Sequence, residues 1–134
     1  MEWVTKSYAK VDNSLPCDVV ITLVKDKEKR FTAIRFRRGS QKKITKNQHI
    51  IYAVDGTRLY FSEAEPHRGW KLSESGNYSN KVCYFKISSK QLPINKVEEG
   101  MFNLELDEDH MLWYIDLTHK LKEGLQWNGK RGYR

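Results

Sequence analysis

The chain has 134 residues, 24 Lys and Arg against 17 Asp and Glu, a formal net charge of +7 and 39% hydrophobic side chains. That length suits one domain, residues 1–134, large enough to bury a core without disulfides or a structural metal. The longest apolar run, residues 19–24, is broken by Thr22 and far too short to span a bilayer, and the first six residues hold no apolar signal segment, so a cytoplasmic chain with no membrane partner is expected.

In chain order, residues 3–11 suit a short amphipathic helix closed by Asp12, Asn13, Ser14 and Pro16. Residues 18–25 and 31–38 form a candidate strand pair around the polar turn Asp26, Lys27, Glu28, Lys29, although the first arm also fits a short buried helix. Residues 42–49 leave room for one short turn. Residues 50–61 carry the strongest local signal: two runs rich in β-branched and aromatic side chains flank Asp55 and Gly56, which suit a two-residue type I′ turn. That turn places Val54 opposite Thr57, Tyr52 opposite Leu59 and Ile50 opposite Phe61, an apolar ladder on one face.

Residues 63–80, with Pro66, Gly69 and Gly76, read as a loop between two halves. Residues 82–87 read as a strand, and residues 88–97 as a short turn interrupted by Pro93. Residues 101–117 alternate with period two on both sides of Glu108, Asp109 and His110: Phe102, Leu104 and Leu106 on one arm, Trp113, Ile115 and Leu117 on the other, which predicts a second hairpin. The fold class expected is mainly β with minor α, a small single domain of antiparallel hairpins. Each half runs from strand through connector to hairpin, so two structurally similar halves and a plain β-meander both fit.

No motif for catalysis is written in the chain. It lacks a P-loop, a G-x-G-x-x-G and a G-x-S-x-G, and His49, His67, His110 and His119 lie in unrelated contexts, so no catalytic residue and no cofactor is expected. Cys17 and Cys83 stand alone, without C-x-x-C or a histidine pair at zinc spacing, and read as buried, unbridged thiols. The run Asp107, Glu108, Asp109, His110 has oxygen ligands but not the spacing or glycine of an EF-hand, and reads as a solvated turn with no metal.

Charge carries the functional expectation. Residues 25–46 hold ten positive and two negative side chains, residues 98–116 hold seven carboxylates and no Lys or Arg, and residues 118–134 return to five positives and one glutamate in a basic tail. Alternation puts Arg35 and Arg37 on one face of a strand, with Arg38, Lys42, Lys43 and Lys46 following, a row able to track phosphates. Tyr60 and Trp70 sit beside cations as candidate base-stacking rings, and Lys130, Arg131 and Arg134 in a glycine-containing tail form a candidate arm that orders on a polyanion. The leading expectation is a non-catalytic nucleic-acid-binding accessory protein of bacterial or phage type. The alternative is a protein-interaction factor, for example a phage-encoded inhibitor of a host or defence enzyme, using an exposed sheet edge or the opposed charge patches. A metal-dependent nuclease using the carboxylates ranks last, and homodimerisation through unpaired edges is a further option.

Overall fold

β-Branched and aromatic residues recurring at every second position leave one apolar face per strand, and two such sheets bury those faces only against each other. The computed structural model describes residues 17–76, 82–88 and 98–121. The helix expected at 3–11, nearly all of the turn expected at 88–97, and the tail cations Lys130, Arg131 and Arg134 lie outside the described residues. Within them are ten strands: β1 (Val19–Asp26), β2 (Lys29–Phe36), β3 (His49–Asp55), β4 (Arg58–Glu63), β5 (Trp70–Lys71), β6 (Ser73–Ser75), β7 (Val82–Ser88), β8 (Gly100–Phe102), β9 (Glu105–Asp107) and β10 (Leu112–Asp116). They form two antiparallel five-stranded sheets, in the orders β6-β7-β2-β1-β8 and β5-β3-β4-β10-β9. The chain is mainly β, as its pattern predicts.

The core lies between the sheets. The first contributes Val19, Ile21, Ile34, Phe36, Cys83, Phe85 and Ile87, and the second Ile50, Leu59, Phe61 and Ile115. Phe36 joins the two layers: its ring meets Phe61 edge-on at 5.2 Å and stacks on Phe85 at 6.3 Å. Each such side chain contributes about 1.5–3 kcal/mol on leaving water, so this interleaved cluster is the main source of stability.

The strand order has an internal echo. β2 beside β7 makes the centre of the first sheet, and β4 beside β10 the centre of the second. β1 and β6 flank the first centre, while β3 and β9 flank the second. The series β1-β2-β3-β4 and β6-β7-β9-β10 thus occupy matching places, with β5 and β8 added at sheet edges.

Four local expectations are corrected or narrowed. The β3–β4 hairpin closes on Asp55 opposite Arg58, so its loop is Gly56 and Thr57, and Val54 faces Leu59 while Tyr52 faces Phe61. Gly56 takes φ 64° and Thr57 keeps negative φ, the sign pattern of a type II′ turn rather than type I′. The true register is two residues from the predicted one, and an even slip leaves every side chain on its predicted face. The hairpin expected at 101–117 is split: β8 pairs with β1 in the first sheet, whereas β9 pairs with β10 in the second. The crossing is fixed at Leu104, whose N–H donates to Asp18 Oδ2 at 2.8 Å, and Leu106 is left 39% exposed at the edge. Residues 18–25 are strand, which removes the helical alternative, and the loop expected at 63–80 contains the short strands β5 and β6.

Candidate functional site

The connector from β2 to β3, residues 37–48, holds cations on a backbone pinned by hydrogen bonds at both ends. Arg38 and Gly39 turn the chain with φ of 57° and 75°, and a single 3-10 turn, Ser40–Lys43, follows. The Asp18 carbonyl accepts from Arg37 N at 2.8 Å and Ser40 Oγ at 2.9 Å, pinning the start. Glu63 pins the end: its Oε2 accepts from the backbone amides of Lys46 and Asn47 and lies 3.1 Å from Thr45 Oγ1. The Lys46 amide, foremost among these donors, holds the Glu63 carboxyl below its usual range. Asn47 Nδ2 adds a bond to the Ala64 carbonyl at 2.8 Å. From this frame Arg38, Lys42, Lys43 and Lys46 emerge exposed, and Lys43 Nζ lies 4.9 Å from the Trp113 ring centre.

The remaining predicted site residues are placed differently. Arg37 is 4% exposed, with Nη1 donating to Cys17 Sγ at 2.8 Å, so it is not part of a solvated row. Arg35 is half-buried, bonded to Thr22 Oγ1 and 5.8 Å from the Tyr84 ring centre. Arg35 and Arg37 do share one face, but that face, opposite the core, is itself covered: Ala33 is 0%, Val20 2% and Met101 1% exposed there. Tyr60 is 8% exposed and its hydroxyl is engaged, so it offers no open stacking face. Trp70 is half-buried against Tyr52 at 5.2 Å and Phe85 at 5.9 Å, a core contact rather than a platform. The basic run 25–46 is also divided in space. β2 separates the cations at its start, Lys29 and Arg30, from Arg38 just beyond its end by roughly 25–30 Å at about 3.3 Å per residue.

A second constellation, missed in the sequence, occupies the outer face of the other sheet. Tyr60 and Tyr114 are opposite one another on β4 and β10, with ring centres 5.2 Å apart, and Arg58 lies over Tyr114 at 4.3 Å. Tyr60 donates to Asp107 Oδ2 at 2.7 Å, and His110 Nδ1 lies 3.0 Å from the same oxygen. Two residues along β9, Glu105 Oε2 lies 2.7 Å from His119 Nδ1, and Tyr114 donates to Glu105 Oε1 at 3.4 Å. The Tyr60 hydroxyl, then His110, hold the Asp107 carboxyl well below the usual range. Asp107 and Glu105 in turn raise His110 and His119 above the ordinary histidine value. These carboxylates are internal partners of histidine, tyrosine and arginine, and among the described residues no three His, Cys, Asp or Glu side chains are grouped to hold a metal ion. The only sequence signal was parity: Arg58, Tyr60, Tyr114, Glu105 and Asp107 all fall on the face opposite the apolar ladder.

No protein-family model, curated protein or solved structure matches the chain. Among the described residues no helix is long and apolar enough to cross a membrane.

Proposed function

We propose that the protein is a nucleic-acid-binding accessory module that meets phosphates through the β2–β3 connector. One observation carries this reading: Arg38, Lys42, Lys43 and Lys46 are all exposed on a segment whose backbone is fixed at both ends, by the Asp18 carbonyl and the Glu63 carboxylate. Residues 37–48 contain no carboxylate, and Glu63, which pins their end, is bonded to backbone amides. Cations held on a fixed backbone lose little chain entropy on meeting a polyanion, and each phosphate contact releases condensed counterions.

The test is a triple substitution of Lys42, Lys43 and Lys46 to Gln, with binding to an oligo-dT strand and to a random-sequence duplex followed across salt concentration. Three contacts at about 0.7 each on single strands, or about 0.9 on duplex, should flatten the log–log salt slope by roughly 2.1 or 2.7 units. A folded triple variant with the wild-type slope removes the connector from the interface. A heparin arm separates sources: equal affinity for heparin and DNA assigns the site to polyanions in general.

A further inference from the structure

We propose that the half of the β1 edge left unpaired among the described residues is a docking site for an extended acidic segment of a partner protein, which adds to the first sheet as an antiparallel strand. β1 pairs with β2 along its whole length, from Val19 opposite Phe36 to Asp26 opposite Lys29. On its other side β8 covers only Val19, Ile21 and the residue between them. Among the described residues nothing pairs with the remainder of that edge. In an antiparallel ladder alternate residues turn both N–H and C=O to one neighbour, so the parity that pairs Ile21 with β8 directs Leu23 and Lys25 to the open side.

Two features identify the occupant. Leu23 N is not bare: it donates to Glu99 Oε2 at 2.9 Å, a side-chain oxygen sitting where a neighbouring strand would place a carbonyl. The edge is therefore already engaged by a carboxylate that a stronger partner can displace. Around it the β1–β2 tip exposes Lys25, Lys27, Lys29 and Arg30, which favours an acidic chain. Leu23 is 49% exposed and shares a face with Lys25 two residues on. An antiparallel partner matched to both carries an acidic residue two positions before an apolar one. The matching open edge of β3, beyond its two pairs with β5, ends in Asp55 and has no such cationic surround. Strand addition draws its affinity from main-chain hydrogen bonds and its specificity from alternate side chains.

The probe is a blocked, fluorescent peptide of sequence EETVTVS, with a lysine-for-glutamate version as control, read by anisotropy and by amide hydrogen exchange. Glu99→Ala removes the internal competitor and should tighten binding about two- to tenfold, the value of one hydrogen bond. Lys25→Pro deletes one edge donor at a position where proline is tolerated and should weaken binding by a similar factor, more than Lys25→Gln does. In the wild type the peptide should slow exchange at Leu23 and Lys25, a readout that stands even where the proline variant fails to fold. An edge that is merely blunted against aggregation gives no binding and no protection, and overturns the proposal. Binding that Lys25→Gln abolishes while Glu99→Ala leaves it unchanged and the edge amides stay unprotected also overturns it, as charge attraction without strand addition. The Lys42, Lys43, Lys46 triple variant should bind the peptide as wild type does, so failure here and failure of the phosphate interface are read separately.

Discussion

Arg37 Nη1 donates to Cys17 Sγ at 2.8 Å on the outer side of the first sheet, and both side chains are buried. A guanidinium in this position is fixed by structure, not free to follow a phosphate backbone. Arg37→Gln should therefore lower the unfolding free energy by roughly 1–3 kcal/mol, the range for leaving a buried polar group short of its partner. The salt slope of nucleic-acid binding should remain that of wild type. Urea melts together with salt titrations separate the two effects, and a stable variant with a flattened slope would return Arg37 to the interface.

The thiols should behave as two sequestered groups. Cys83 belongs to the core between the sheets, whereas Cys17 packs with Val20 and Met101 outside the first sheet. They lie in separate clusters, both buried and neither in a disulfide, and burial pushes the Cys17 thiol up from its ordinary value. A thiol reagent at neutral pH should label neither site until denaturant is added, then both. Rapid labelling of the native protein would contradict this placement.

The histidine–carboxylate pairs on β9 predict how stability follows pH. His110 and His119 have raised native values, so their contribution is whole below the ordinary histidine pKa of about 6.5 and is lost as pH rises through the native values. Asp107 has a depressed native value, so its contribution is whole above the ordinary aspartate value of about 3.9 and is lost as pH falls from there through the depressed native value. The cluster stabilises most between about pH 4 and 6.5. The urea midpoint of the wild type should be higher near pH 6 than near pH 8.5, and replacing both histidines with Gln should remove that difference; equal wild-type midpoints would sink the idea.

The two tight turns give substitutions of opposite sign. Gly56 and Lys27 each begin a two-residue loop with positive φ, 64° and 60°. A β-branched side chain fits that region poorly, so Gly56→Val should cost about 1–2 kcal/mol although no atom lies within 4 Å of the new Cβ. Lys27→Gly relieves the same strain against glycine's greater unfolded-chain entropy and should raise stability by up to about 1 kcal/mol. Differential scanning calorimetry of the pair checks both signs.

Much of this fold is legible because period-two patterning is local. β2, β3, β4 and β7 lie within two residues of where patterning puts them, β1 is the strand rather than the helix its apolar run also allowed, and Ile50, Tyr52, Leu59 and Phe61 face the core as expected. The failures are long-range. Nothing near Asn103 announces that Asp18 captures the Leu104 amide and sends the chain from one sheet to the other. Alternation around Arg35 and Arg37 gives their face but not what covers it. His110 and His119 look unrelated until β9 brings Asp107 and Glu105 between them. The connector cations were legible as residues, yet their fixed frame depends on Glu63, which no local pattern links to Lys46.

The symmetric strand order also constrains the time course of folding. The centre of each sheet is built across the halves, Ile34 against Phe85 and Leu59 against Ile115, so neither half contains a complete sheet centre. The β1–β2 and β3–β4 hairpins close short loops and can form within microseconds, but they bury little until β7 and β10 arrive from far along the chain. Such non-local closure places the chain among slow, millisecond-to-second folders. A protease cut just after Gly76 would leave two pieces that complete each other's sheets, and they should regain structure by associating at a rate that rises with concentration.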